Sequence, residues 1–99
     1  MPDQLSELQS AVKSQGDRLF PNRTDTHMFL KMYEEIGEVI KAGDDSTQVG
    51  LEVADIMIML LDYAARKGVQ DLSFYIDYKM HRNDEANWQE INGVYKRIK

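Results

Sequence analysis

Four stretches of this chain repeat apolar residues at helical spacing, and the segment after them does not. Leu5, Leu8 and Val12 recur with Gln and Lys between them, which predicts a first helix over residues 3–15 with Gly16 as its stop. Residues 17–25 hold Pro21 and Asn22 and read as a loop. Phe29, Met32, Tyr33, Ile36, Val39 and Ile40 make one apolar face of a second helix. Asp25 or Thr26 caps it, and it runs to about Ala42 with Gly43 as its C-terminal signal. Glu35 falls on the border of that face, and Glu34 and Glu38 lie further round.

After the short acidic turn Gly43-Asp44-Asp45-Ser46, Asp45 or Ser46 caps a third helix that reaches about Lys67 and closes at Gly68. So short a connection makes the second and third helices an antiparallel hairpin. Asp71 or Ser73 starts a fourth helix through Tyr75, Ile76, Tyr78, Lys79 and Met80, fading near Asn83. Trp88 to Ile91, Asn92-Gly93 and Val94 to Ile98 fit two short strands about an Asn-Gly turn. A helix ending at Gly93 is the competing reading.

The third helix is apolar on most sides, from Leu51 through Leu61 to Ala65. That is more apolar surface than one small protomer covers, so part of it is expected to be a subunit interface. The pattern as a whole predicts an all-α four-helix bundle, oligomeric, with a short C-terminal β-hairpin. A length of 99 residues points to a single domain over residues 1–99.

Composition narrows the function. Twelve Lys and Arg stand against 17 Asp and Glu, a formal charge of −5, which argues against a nucleic-acid surface. It leaves a nucleotide substrate open, because bound cations invert the local field. With no cysteine, thiol nucleophiles and Cys-ligated zinc are excluded. The opening Met1-Pro2-Asp3-Gln4 has no signal-peptide character, and the longest apolar run, Ile56 to Leu61, is too short to span a bilayer. The expectation is a cytoplasmic protein with no membrane partner.

Two acids interrupt the apolar third helix, Glu52 and Asp55, three residues apart. Carboxylates are seldom buried without a partner or a metal. The second helix repeats the spacing with Glu35 and Glu38, and both pairs lie close to the turn at 43–46. Folding the hairpin brings them to similar heights. Four carboxylates facing one another repel unless cations intervene, and an all-oxygen ligand set suits Mg²⁺ or Mn²⁺. Salt bridges to Lys31, Lys41 or Arg66 are the competing account. Asp62, two turns beyond Asp55, reads as a helix-pairing or inter-subunit contact rather than a ligand.

Glu35-x-x-Glu38, thirteen residues, then Glu52-x-x-Asp55 resembles the E-x-x-E…E-x-x-D signature of the MazG-like all-α nucleoside triphosphate pyrophosphohydrolases. Met32 to Glu38 and Leu51 to Leu61 resemble the family's two acidic blocks, and Lys79, Asn83 and Trp88 resemble its K-x3-N-x2-R-x-W element. Ala86 stands where that element has Arg. The resemblance spans roughly residues 26–98 and implies Mg²⁺, with Mn²⁺ as a substitute, bound by Glu35, Glu38, Glu52 and Asp55. While the apolar third helix carries the expectation of a homodimer or homotetramer, the resemblance implies hydrolysis of a nucleoside triphosphate between its α- and β-phosphates. It also implies substrate contacts from Lys79 and Asn83, one turn apart. Glu34 is an auxiliary catalytic acid, or equally an exposed helix acid. Trp88 either stacks on a base or packs in the core, and packing is the better-supported of the two. A non-catalytic helical binding module of the same fold is the alternative function.

Overall fold

The computed structural model describes residues 3–98 as four helices and a hairpin in chain order. They are α1 (Gln4–Leu19), α2 (Asp25–Ala42), α3 (Ser46–Arg66), α4 (Leu72–Glu85), β1 (Asn87–Ile91) and β2 (Val94–Ile98). The side chains of Asp3, Thr24 and Asp45 accept from backbone N–H groups in the first turns of α1, α2 and α3. The α2 cap is therefore Thr24, one residue before the expected Asp25. Gly43 and Gly68 end α2 and α3 with positive φ. The C-terminal segment is a hairpin and not a helix. Asn92 and Gly93, at φ 54° and 81°, form its turn, and Asn87 pairs with Ile98 at the open end.

Gly16 does not stop α1, which continues to Leu19. A Cβ at Gly16 would stand 3.0 Å from the Arg23 guanidinium carbon, so this glycine makes room for a neighbour rather than a turn.

The helix α3 is the centre of the fold, with α1 and α2 both packed against it, while among the helices α4 packs only against α1. Gln9 is 2% exposed and donates to the carbonyls of Leu61 (3.2 Å) and Val69 (2.8 Å), fastening α1 to the end of α3. The apolar face expected for α2 is corrected. Met28 and Glu35 are buried, with Met32, Val39 and Ala42 half-buried on the same row. Tyr33, Ile36 and Ile40, one step round, are 74%, 48% and 75% exposed. The helix carries two adjacent apolar rows; α3 covers the one that includes Glu35 and meets the other only at Phe29, whose ring lies 5.1 Å from that of Tyr63.

Among the described residues, Met28 and Leu61 are the only buried apolar side chains. The chain exposes 7870 Å², where a folded monomer of 11.5 kDa exposes about 5,800 Å². Its radius of gyration is 16.1 Å, against about 13 Å for a compact chain of this length. The helix α4 and the hairpin, which do not pack on α2 or α3, and the open rows of α2 and α3 themselves contribute to the excess surface. No helix of the described residues is long and apolar enough to cross a membrane.

Candidate active site

The turn at residues 43–45 sets the height at which the acids meet. Glu35 lies seven residues before Ala42 and Glu52 seven after the Asp45 cap, so each is about 10 Å along its helix from the turn. Glu35 therefore faces Glu52, and Asp55 stands one turn further along α3. Single carboxylate oxygens of Glu35, Glu52 and Asp55 all lie within 4.8 Å of one another. Glu35 is 8% exposed, Glu52 is half-buried and Asp55 is open to solvent.

The carboxyl of Glu52 is pushed above the usual carboxylate range. Partial desolvation is the leading cause, followed by a hydrogen bond with Glu35 and repulsion from Glu35, Asp55 and Glu38. The three acids crowd one point, and one proton or one cation relieves them. The donor set fits a hard divalent ion, with oxygen atoms only and room for water on the open Asp55 side.

Of the competing salt bridges, those of Lys31 and Lys41 form on the α2 acids, and that of Arg66 forms away from the group. Lys31 Nζ lies 3.3 Å from Glu35 and 3.4 Å from Glu34, and those contacts hold its ammonium above its ordinary pKa. Lys41 lies 3.5 Å from Glu38. Arg66 pairs with Asp25 and Asp62. Among the described residues no basic side chain pairs with Glu52 or Asp55. Glu38 leans toward Lys41, half-exposed and outside the close group, one turn along α2 from Glu35. Glu34 is exposed and faces Lys31.

Lys79, Asn83 and Trp88 are not brought to this groove within the protomer, because α4 has no contact with α2 or α3. Trp88 is 43% exposed, so core packing is corrected. Its indole donates to the Asn83 carbonyl at 2.8 Å, capping α4, and Arg97 lies over its ring at 5.6 Å. Arg97 was not singled out by the sequence. Hairpin pairing sets it opposite Trp88, beside Ala86, where it lies 3.5 Å from the Asn83 side chain.

A cavity of about 700 Å³ opens beside the acids, between α1, α2 and α3, with Glu35 and Asp55 at one end. Its walls are largely apolar, with Phe20, Met28 and Met59 among them. Arg23 and Asp62 line it as a closed ion pair, Nε to Oδ2 at 2.7 Å and Nη2 to Oδ1 at 2.8 Å.

Comparison with known proteins decides the family. Over 99 residues the chain is 35% identical to a dATP/dGTP diphosphohydrolase of cyanophage S-2L, spanning 99% of this chain and 91% of that protein. The solved structure of the cyanophage S-2L MazG-like pyrophosphohydrolase, bound to dGDP and three catalytic Mn²⁺ ions per active site, superposes with a TM-score of 0.80. It is 33% identical and matches 99% of this chain and all of that one. The chain belongs to the MazG-like pyrophosphohydrolases. A dATP/dGTP diphosphohydrolase of Salmonella phage PMBT28 is 30% identical over 95 residues, which are 95% of this chain but 31% of that longer protein. No protein-family model matches the chain. Membership in the MazG-like family fits the four helices with a terminal hairpin and the acid groove between α2 and α3.

Proposed function

We propose that this MazG-like enzyme hydrolyses a purine deoxynucleoside triphosphate to the monophosphate and pyrophosphate, using Mg²⁺ or Mn²⁺ held by Glu35, Glu38, Glu52 and Asp55. The observation that carries the reading is the meeting of Glu35, Glu52 and Asp55 within 4.8 Å, with no basic side chain beside the last two. Divalent ions bound there neutralise the phosphates and lower the pKa of the attacking water. Glu35, fixed in the helix interface, sets the position of the group, while Glu52 and Asp55 complete it from α3. Glu38 turns from Lys41 to join them, and Glu34 is the auxiliary acid at the rim. Lys31, released from Glu35 as cations enter, is free to meet a phosphate oxygen. Water bonds to the α-phosphorus, the bond to the bridging oxygen breaks, and pyrophosphate leaves.

Lys79, Asn83 and Trp88 are the proposed substrate contacts. For them to reach the phosphates, the α4 and hairpin that carry them must come from a neighbouring protomer. The excess exposed surface and the open apolar rows of α2 and α3 support the same assembly, a homodimer or homotetramer.

Hydrolysis in ¹⁸O-labelled water tests the reaction. Mass spectrometry is expected to find the label in the monophosphate alone. Label in pyrophosphate, or release of orthophosphate, overturns the α-phosphorus assignment.

A further inference from the structure

We infer that the cavity between α1, α2 and α3 holds the nucleobase and that Gln15 reads it. The inference rests on the proposed nucleotide chemistry and adds the residue that selects the base. The cavity is continuous with the acids, so a nucleotide whose phosphates lie at Glu35 and Asp55 directs its base toward α1. The walls in between suit a planar apolar ring: Phe20 from the α1–α2 connection, Met28 from α2 and Met59 from α3.

The polar groups of the lining sort by whether they are free. Arg23 and Asp62 hold each other, and Lys31 is engaged by Glu34 and Glu35. Among the described residues no hydrogen bond holds the carboxamide of Gln15, which is exposed at the α1 wall. His27 is also free, on the α2 wall two turns from Glu35, and is the competing reader, probed by His27→Ala.

A free carboxamide suits both purines. Adenine presents a donor at N6 beside an acceptor at N1, and guanine an acceptor at O6 beside a donor at N1. A half-turn of the Gln15 amide exchanges its own donor and acceptor, so one side chain complements either base. A carboxylate at the same place has no donor. It pairs with the two guanine donors at N1 and N2 and leaves adenine N1 facing an acceptor.

The test is the ratio of kcat/KM for dGTP over dATP with Mn²⁺ in wild type, Gln15→Glu, Gln15→Leu and His27→Ala. Gln15→Glu is expected to raise the ratio about tenfold or more through loss on dATP, the cost of an unpaired buried polar group. Gln15→Leu is expected to raise KM for both purines and leave the ratio near wild type. Hydrolysis that persists with the same ratio in Gln15→Glu overturns the inference, as does a ratio moved by His27→Ala instead. If the wild-type protein turns over no nucleotide, the proposed reaction fails first, and the two failures remain distinct.

Discussion

Asp62, one turn from the C-terminal end of α3, takes Arg23 from the loop before α2 in a two-point ion pair at 2.7 and 2.8 Å. Its side chain is 6% exposed and that of Arg23 is 12%. Arg66 adds a third bond at 3.2 Å and reaches on to Asp25 at the start of α2. This network, not a continuous apolar core, locks the α1–α2 connection over α3 beside the cavity. Asp62→Ala removes the two-point partner of Arg23, leaving it Asp17 and the Phe20 carbonyl, and leaves Arg66 paired only with Asp25, and the expected cost is about 2 kcal/mol. Denaturant unfolding measures it. A loss below about 0.5 kcal/mol, the range of an ordinary surface change, contradicts the role given to Asp62.

Gly16 answers to the same pair. Alanine in a helix is usually worth up to about 1 kcal/mol over glycine. Here its Cβ meets the Arg23 guanidinium at 3.0 Å, and Asp62, Asp17 and the Phe20 carbonyl hold that group in place. Gly16→Ala is expected to lower Tm in the wild-type chain and to raise it in an Arg23→Met background. A stabilising Gly16→Ala in both backgrounds removes Arg23 as the reason for the glycine.

The crowding of acids makes stability depend on pH. Glu52 has a raised pKa in the folded state, so folding favours its protonated form. Its contribution is present in full below its unfolded pKa and is lost as pH rises through the raised folded value. Without metal, Glu52→Gln is therefore expected to match wild type at low pH and to exceed it in Tm as pH rises past that value. Mn²⁺ is expected to raise the wild-type Tm above that of the variant. A Tm difference that does not change with pH contradicts the electrostatic account.

Ile40 tests assembly. It is 75% exposed in the protomer, where Ile40→Lys should change stability by less than about 0.5 kcal/mol. On a subunit interface the buried lysine disrupts association. Light scattering is expected to show a dimer or tetramer for wild type and a smaller species for Ile40→Lys. A wild-type monomer at micromolar concentration contradicts the proposed sharing of α4.

The backbone plan was legible because its signals are local. The cap at Asp45, glycines at 43 and 68, and the Asn92-Gly93 turn each act within a few residues. The acid site was legible because Glu52 and Asp55 break an apolar helix whose antiparallel partner carries the same spacing. Periodicity could not say which of two adjacent apolar rows of α2 meets α3, since that choice belongs to packing. So Glu35 moved from the border to the interior, and Ile40 moved out. Gly16 misled because a stop and a close approach use the same residue. Arg97 was hidden because strand pairing, eleven positions from Ala86 in the chain, sets it beside Trp88.

The central claim is that Glu35, Glu52 and Asp55 form a metal-dependent site for nucleotide hydrolysis. Pyrophosphate release from dATP and dGTP, followed with Mn²⁺ in wild type and Asp55→Asn, tests it most directly. Asp55 is exposed, so the variant is expected to keep the wild-type fold by circular dichroism. The prediction is release by wild type that chelation abolishes, with at least a hundredfold loss in Asp55→Asn. Equal rates in the two proteins, or release that survives chelation, contradict the account.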